Sequence, residues 1–160
     1  MIEITLQVNK KLVYNEVAKT TAYAGSKQVT DDDVSAYERI FTTDDDRLML
    51  ERFWIETANA ATEQFKPFIV TVSNHPESNG VELDRNYDVK LELSSSYEEQ
   101  LTDSIQNSLY SFFVASIVSK WFKFINKDEA KDYAGDAAGM MSDIVNKIYY
   151  RKKPKRIAPR

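Results

Sequence analysis

The sequence predicts a mainly helical α+β fold: helices packed around one central apolar helix (about 97–125), a small antiparallel β-hairpin or sheet, and an extended basic C-terminal tail. Three observations carry this. Leu101, Ile105, Leu109, Phe112, Phe113, Ile117, Trp121 and Phe124 recur at three- and four-residue steps, the helical period. Val114, Val118 and Phe122 widen that stripe until the helix is apolar most of the way round, as a buried element is. Ile2, Ile4, Leu6 and Val8 alternate with polar residues, as do Tyr87, Val89, Leu91 and Leu93, the pattern of half-buried strands.

A chain of 160 residues favours one domain, here residues 1–150 followed by the tail at 151–160. At this length about 70% of the unfolded surface is buried on folding, enough for a real core. The net charge of -4 is unevenly spread. The last ten residues, RKKPKRIAPR, hold six Lys or Arg and no acid, so residues 1–150 carry -10. An acidic body with a cationic end suggests a separate partner for the tail. The absence of cysteine excludes disulfides, cysteine-based zinc sites and a thiol nucleophile. MIEITLQVNKK lacks the apolar run of a secretory signal. Asp103, Gln106, Asn107, Lys120 and Lys123 interrupt the apolar helix, so no membrane span is expected.

Taken in order, Ile2 to Val8 is a strand, and Asn9 caps a helix carrying Leu12, Val13, Val17 and Ala24 that stops at Gly25. Thr30 followed by Asp31, Asp32 and Asp33, and Thr43 followed by Asp44, Asp45 and Asp46, are two similar acidic signals. Clustered carboxylates suit a divalent metal, but the EF-hand glycine and twelfth-position Glu are missing. A Thr cap with aspartates at the positive end of the helix dipole is the stronger reading. It predicts helices at 31–40 and 44–65. In the second, Leu50, Trp54, Ala58, Ala61 and Phe65 share a face, with Arg47, Glu51 and Glu63 elsewhere, and Pro67 ends it. FIVTVS (68–73) is a strand, NHPESNG (74–80) a loop, Val81 and Leu83 begin a further strand, and Tyr87 to Leu93 closes a hairpin. A hairpin alone is barely stable, so it takes the N-terminal strand as a third partner or lies on the central helix.

Ser95 with Glu98 and Ser96 with Glu99 offer two registers of capping box at the start of the central helix. Asn126 with Glu129 caps a last helix at 127–150, making an αα-hairpin. Ala130, Ala134, Gly135, Ala137, Ala138 and Gly139 give that helix a small-residue surface, and close approach by another helix is expected to offset the two glycines.

Nothing in the chain forms a recognisable catalytic or cofactor-binding motif, and neither an enzyme nor a cofactor is expected. His75 is the only histidine, in a polar loop, and nucleotide-binding glycine loops and HExxH are absent. The tail admits three readings: phosphate neutralisation on nucleic acid, an acidic protein surface including a neighbouring copy, or a solvated end. Tyr149 and Tyr150 beside it either stack on bases or pack the helix end.

The order of elements resembles the small structural proteins of tailed bacteriophages, in particular the head–tail connector or neck adaptor proteins. The segments that carry the likeness are FWIETANAATEQF, the hairpin from FIVTVS to YDVKLELS, SFFVASIVSKWFKFINKDEA, YAGDAAGMMSDIVNKIYY and the basic end. They cover residues 44–160 in layout rather than by a diagnostic motif. The resemblance implies a non-enzymatic virion protein, made in the bacterial host cytoplasm and sited at the neck. It would form a ring of identical copies between the portal and the tail or neck proteins, extending a channel through which DNA passes without sequence-specific binding. By position, Arg151, Lys152, Lys153, Lys155, Arg156 and Arg160 would be the segment that docks on a neighbouring subunit. The loop at 74–84 would contact the ring neighbour or face the channel. The alternative is a nucleic-acid-binding accessory protein acting through the same tail.

Overall fold

Alternation in two distant segments builds the sheet. The computed structural model describes residues 1–24, 44–73 and 85–155, without the side chains at 22–24 and 44. Strand β1 (Ile2–Val8) buries Ile4, Leu6 and Val8, and β3 (Tyr87–Leu93) buries Tyr87, Val89, Leu91 and Leu93. They pair antiparallel with Ile4 opposite Leu91 and Leu6 opposite Val89, so one apolar face forms across both strands. Strand β2 (Ile69–Ser73) pairs antiparallel with the other side of β3, with an irregularity between Ile69 and Thr71. The order β1-β3-β2 makes the N-terminal strand the third partner that the hairpin needs.

Four helices are present among the described residues, and they make the fold mainly helical: α1 (Lys10–Ala24), α2 (Asp44–Phe65), α3 (Thr102–Phe122) and α4 (Lys127–Tyr149). Asn9 starts α1, its Oδ1 accepting from the Leu12 N–H at 3.0 Å, and Asn126 starts α4 by accepting from the Glu129 N–H at 3.3 Å. In α2 the residues Leu50, Trp54, Ala58, Ala61 and Phe65 are all buried, and the helix passes into a short 3-10 turn (Lys66–Phe68) at the proline. Helix α3 packs against α1, α2, α4 and β1. Its Ile105, Leu109, Phe113 and Ile117 are fully buried, each contributing about 1.5–3 kcal/mol of apolar transfer. Phe113 joins layers: its ring lies 4.8 Å from Trp54 of α2 and 5.2 Å from Tyr87 of β3.

Four expectations are corrected. The capping boxes at Ser95 and Ser96 do not form, and α3 begins at Thr102 after a 3-10 turn (Glu99–Leu101) capped by the Glu98 carboxylate on the Gln100 N–H. The Ser96 carbonyl is taken by the Lys152 N–H and Tyr97 is fully buried, which holds this segment out of helix. The apolar stripe ends at Phe122. The Ile125 and Asn126 N–H groups both donate to the Phe122 carbonyl, the chain reverses, and Phe124 and Ile125 stand 80% and 71% exposed. Glu51, expected off the buried face of α2, is only 7% exposed, because Lys10 lies beneath it. On α4, Ala130 and Ala137 are buried, but Ala134, Gly135, Ala138 and Gly139 are exposed, and a Cβ added at either glycine meets nothing within 4 Å. No second helix approaches that face among the described residues. The segments at 31–40 and 74–84, with Asp31, Asp32, Asp33, His75, Val81 and Leu83, lie outside the described residues.

Candidate interaction site

The basic segment starts where three elements meet. Helix α4 ends at Tyr149, and Arg151 then forms an antiparallel bridge with Tyr97. The Lys152 N–H donates to the Ser96 carbonyl at 2.8 Å, and Arg151 Nη1 donates to the Ile148 carbonyl at 3.3 Å. Tyr97 is the anchor's buried side: its hydroxyl lies 3.0 Å from Thr102 Oγ1, and burial pushes its phenol up from the ordinary value of 10. The Thr102 hydrogen bond opposes that rise, and the Glu98 and Glu99 carboxylates add to it. The root of the segment is therefore tied to the core by backbone bonds, and its cations project from a fixed point.

Of the six basic residues singled out by sequence, the structure brings Arg151, Lys152, Lys153 and Lys155 to this end of the α3–α4 hairpin, and all four are exposed. Lys152, Lys153 and Lys155 form no ion pair among the described residues. Arg156 and Arg160 lie outside the described residues. Tyr149 meets Phe68 edge to face at 5.4 Å, yet Tyr149 and Tyr150 both remain about half exposed. Beside them Glu98, Gln100, Leu101, Asn146, Lys147 and Tyr150 line an open hollow of about 420 Å³. Lys147 is spoken for, donating at 2.6 Å to both Ser104 Oγ and Asp143 Oδ2.

Two other features bear on chemistry. A shallow groove of about 510 Å³ runs between α2 and α4 over Phe112, edged by Gln64, Ser142 and Asn146. In the core, Lys10 donates to Glu51 Oε1 at 2.5 Å and the Tyr14 hydroxyl donates to Oε2 at 2.6 Å, with the ammonium 5.7 Å from the centres of the Tyr14 and Trp54 rings. At 2% exposure Lys10 meets no solvent-borne ligand, so the cluster joins α1 to α2. Among the described residues no group of three or more His, Asp or Glu side chains is arranged to hold a metal ion, and no helix is long and apolar enough to cross a membrane.

Charge alone pointed to the tail. Its anchor at Ser96 and Tyr97 carried no local signal, because the bridge joins residues 54 positions apart. The exposed pair Phe124 and Ile125 had one: the Asn126 cap places both at a chain reversal, where a helical stripe cannot continue. No family model matches this chain, and neither does any curated protein or solved structure.

Proposed function

We propose that this chain is a non-enzymatic structural subunit of a tailed-phage neck. Identical copies form a ring at the portal–tail junction and extend the DNA channel. The observation that carries the reading is the basic segment: its root is fixed on Ser96 and Tyr97, its lysines are exposed, and the body behind it is acidic. In this reading α3 is the central apolar helix around which the others pack, and residues 151–160 are an extended arm that docks on a neighbouring portal or adaptor subunit. A channel wall on a body of charge -10 does not hold DNA by counterion release and lets it slide. The test is peptide mass spectrometry on density-purified particles from the source. A fixed low copy number, such as roughly a dozen per capsid, supports a symmetric closed ring, and loss of particle assembly on removing 151–160 supports a docking role for the arm. Absence from intact particles overturns it.

The exposed Tyr149 and Tyr150 beside the cations favour a second reading, in which the arm binds nucleic acid. It requires DNA affinity that falls steeply with salt and disappears with the arm. Protein that ignores DNA at physiological salt excludes it.

A further inference from the structure

The αα-hairpin gives the molecule two unlike ends. Helix α3 has 21 residues, roughly 30 Å at the α-helical rise. At one end the turn carries Phe124 and Ile125, 80% and 71% exposed. The turn is held by the two bonds to the Phe122 carbonyl and by the Asn126 cap. At the other end lies the hollow whose lining includes Leu101 and Tyr150, with the basic segment leaving beside it. An apolar knob and an apolar hollow about 30 Å apart cannot meet within one chain.

Exposed charges of both signs stand at each end of the same axis. Lys123 and Lys127 flank the knob, are exposed and form no ion pair among the described residues. At the hollow, Glu98 is part of the lining and Glu99 follows it, neither in an ion pair among the described residues. The first half of α4, which leads away from the knob, exposes Asp128, Asp132 and Asp136 along successive turns. The segment beside the hollow exposes Lys152, Lys153 and Lys155. Each end thus carries the apolar shape and both charge signs that complement the other end.

We infer that copies of this chain associate head to tail. The Phe124–Ile125 knob of one copy seats in the Leu101–Tyr150 hollow of the next. Lys123 and Lys127 meet Glu98 and Glu99, and the basic segment of the second copy lies along the aspartates of the first. The contact is heterologous, so repetition gives a ring where the rotation closes. The inference deepens the ring reading by naming its surfaces, but requires only that copies meet.

The chain has no cysteine, so introduced thiols report only themselves. Full-length Ile125→Cys and Gln100→Cys, both at exposed positions, are mixed at high protein concentration under mild oxidation. The expected result is a cross-linked dimer from the mixture, little from either variant alone, and a ladder of larger species from the double variant. Raised salt lowers the yield. Lys152→Glu, Lys153→Glu and Lys155→Glu together lower it severalfold, and Asp132→Lys with Asp136→Lys on the other copy restores it. A mixture that cross-links no better than Ile125→Cys with the control Glu92→Cys overturns the inference, as does dominant self-linking of Ile125→Cys. Absence from particles with intact cross-linking sinks the connector reading alone. Presence in particles without this cross-link sinks the head-to-tail contact alone.

Discussion

The Lys10 ammonium lies 2.5 Å from Glu51 Oε1 with both side chains almost wholly out of solvent. The pair ties the first turn of α1 to α2, and Tyr14 satisfies the second carboxylate oxygen. Removing one partner leaves the other buried and uncompensated, which costs about 3–5 kcal/mol. Lys10→Met and Glu51→Gln are each expected to destabilise on that scale in urea titration. The double variant removes both charges, keeps an acceptor for Tyr14, and is expected to recover most of the loss. Single variants that cost less than about 1 kcal/mol would show the pair to be solvated.

Gln106 protects the outer edge of β1. The Gln7 N–H donates to Gln106 Oε1 at 2.8 Å, and Gln106 Nε2 donates back to the Gln7 carbonyl. One side-chain amide thus stands in for a neighbouring strand at that residue, a way of closing an edge that other chains would otherwise pair with. Gln106→Ala is expected to cost about 0.5–1.5 kcal/mol and to speed hydrogen exchange at the Gln7 amide. It should also raise light scattering on prolonged incubation. Unchanged exchange at Gln7 would show that the edge is not held in this way.

These two contacts mark what the sequence could and could not convey. The bounds of α2 were legible because Leu50, Trp54, Ala58, Ala61 and Phe65 keep a helical period and Pro67 breaks it. The strands were legible from strict alternation, and the start of α4 from a cap and its donor three residues apart. Each of these signals is local. Glu51 looked like a solvated charge because its partner is 41 residues away. The capping boxes at Ser95 and Ser96 were sound local chemistry overridden by burial of Tyr97 and the bond from Lys152. At the candidate site the cations were visible as composition. The hollow beside them depends on Leu101 and Tyr150 converging across the hairpin, which no single segment encodes.

Gly135 and Gly139 lie inside α4 with open space where a Cβ would stand. Among the described residues neither has a packing reason, so the helix carries their backbone entropy without return. Gly135→Ala and Gly139→Ala are each expected to stabilise the isolated protein by about 0.8–1 kcal/mol. For a domain of this size the gain corresponds to roughly 2–4 °C in Tm. Calorimetry checks this directly. A fall in Tm would mean that the face is already covered in solution, by another copy close enough to exclude a methyl group.

Tyr87 contributes pH dependence on the alkaline side. Its side chain is buried on β3 with its hydroxyl 3.0 Å from Thr62 Oγ1, and burial pushes its phenol up from 10 to about 12, the Thr62 hydrogen bond acting the other way. The folded state thus holds a proton that the unfolded chain releases near pH 10. The resulting stability is fully present below pH 10 and is lost as pH rises through about 12. At about 1.4 kcal/mol per pH unit that loss is on the order of 2–3 kcal/mol. Urea midpoints should therefore fall from roughly pH 9 to roughly pH 11.5. Tyr87→Phe forfeits the hydrogen bond, about 1 kcal/mol at neutral pH, but has no proton to lose, so its midpoint should fall less across the same window. Some slope persists, because burial also raises the phenols of Tyr97, Tyr110 and Tyr133. Equal slopes for the two proteins would mean that the Tyr87 hydroxyl reaches water in the folded state.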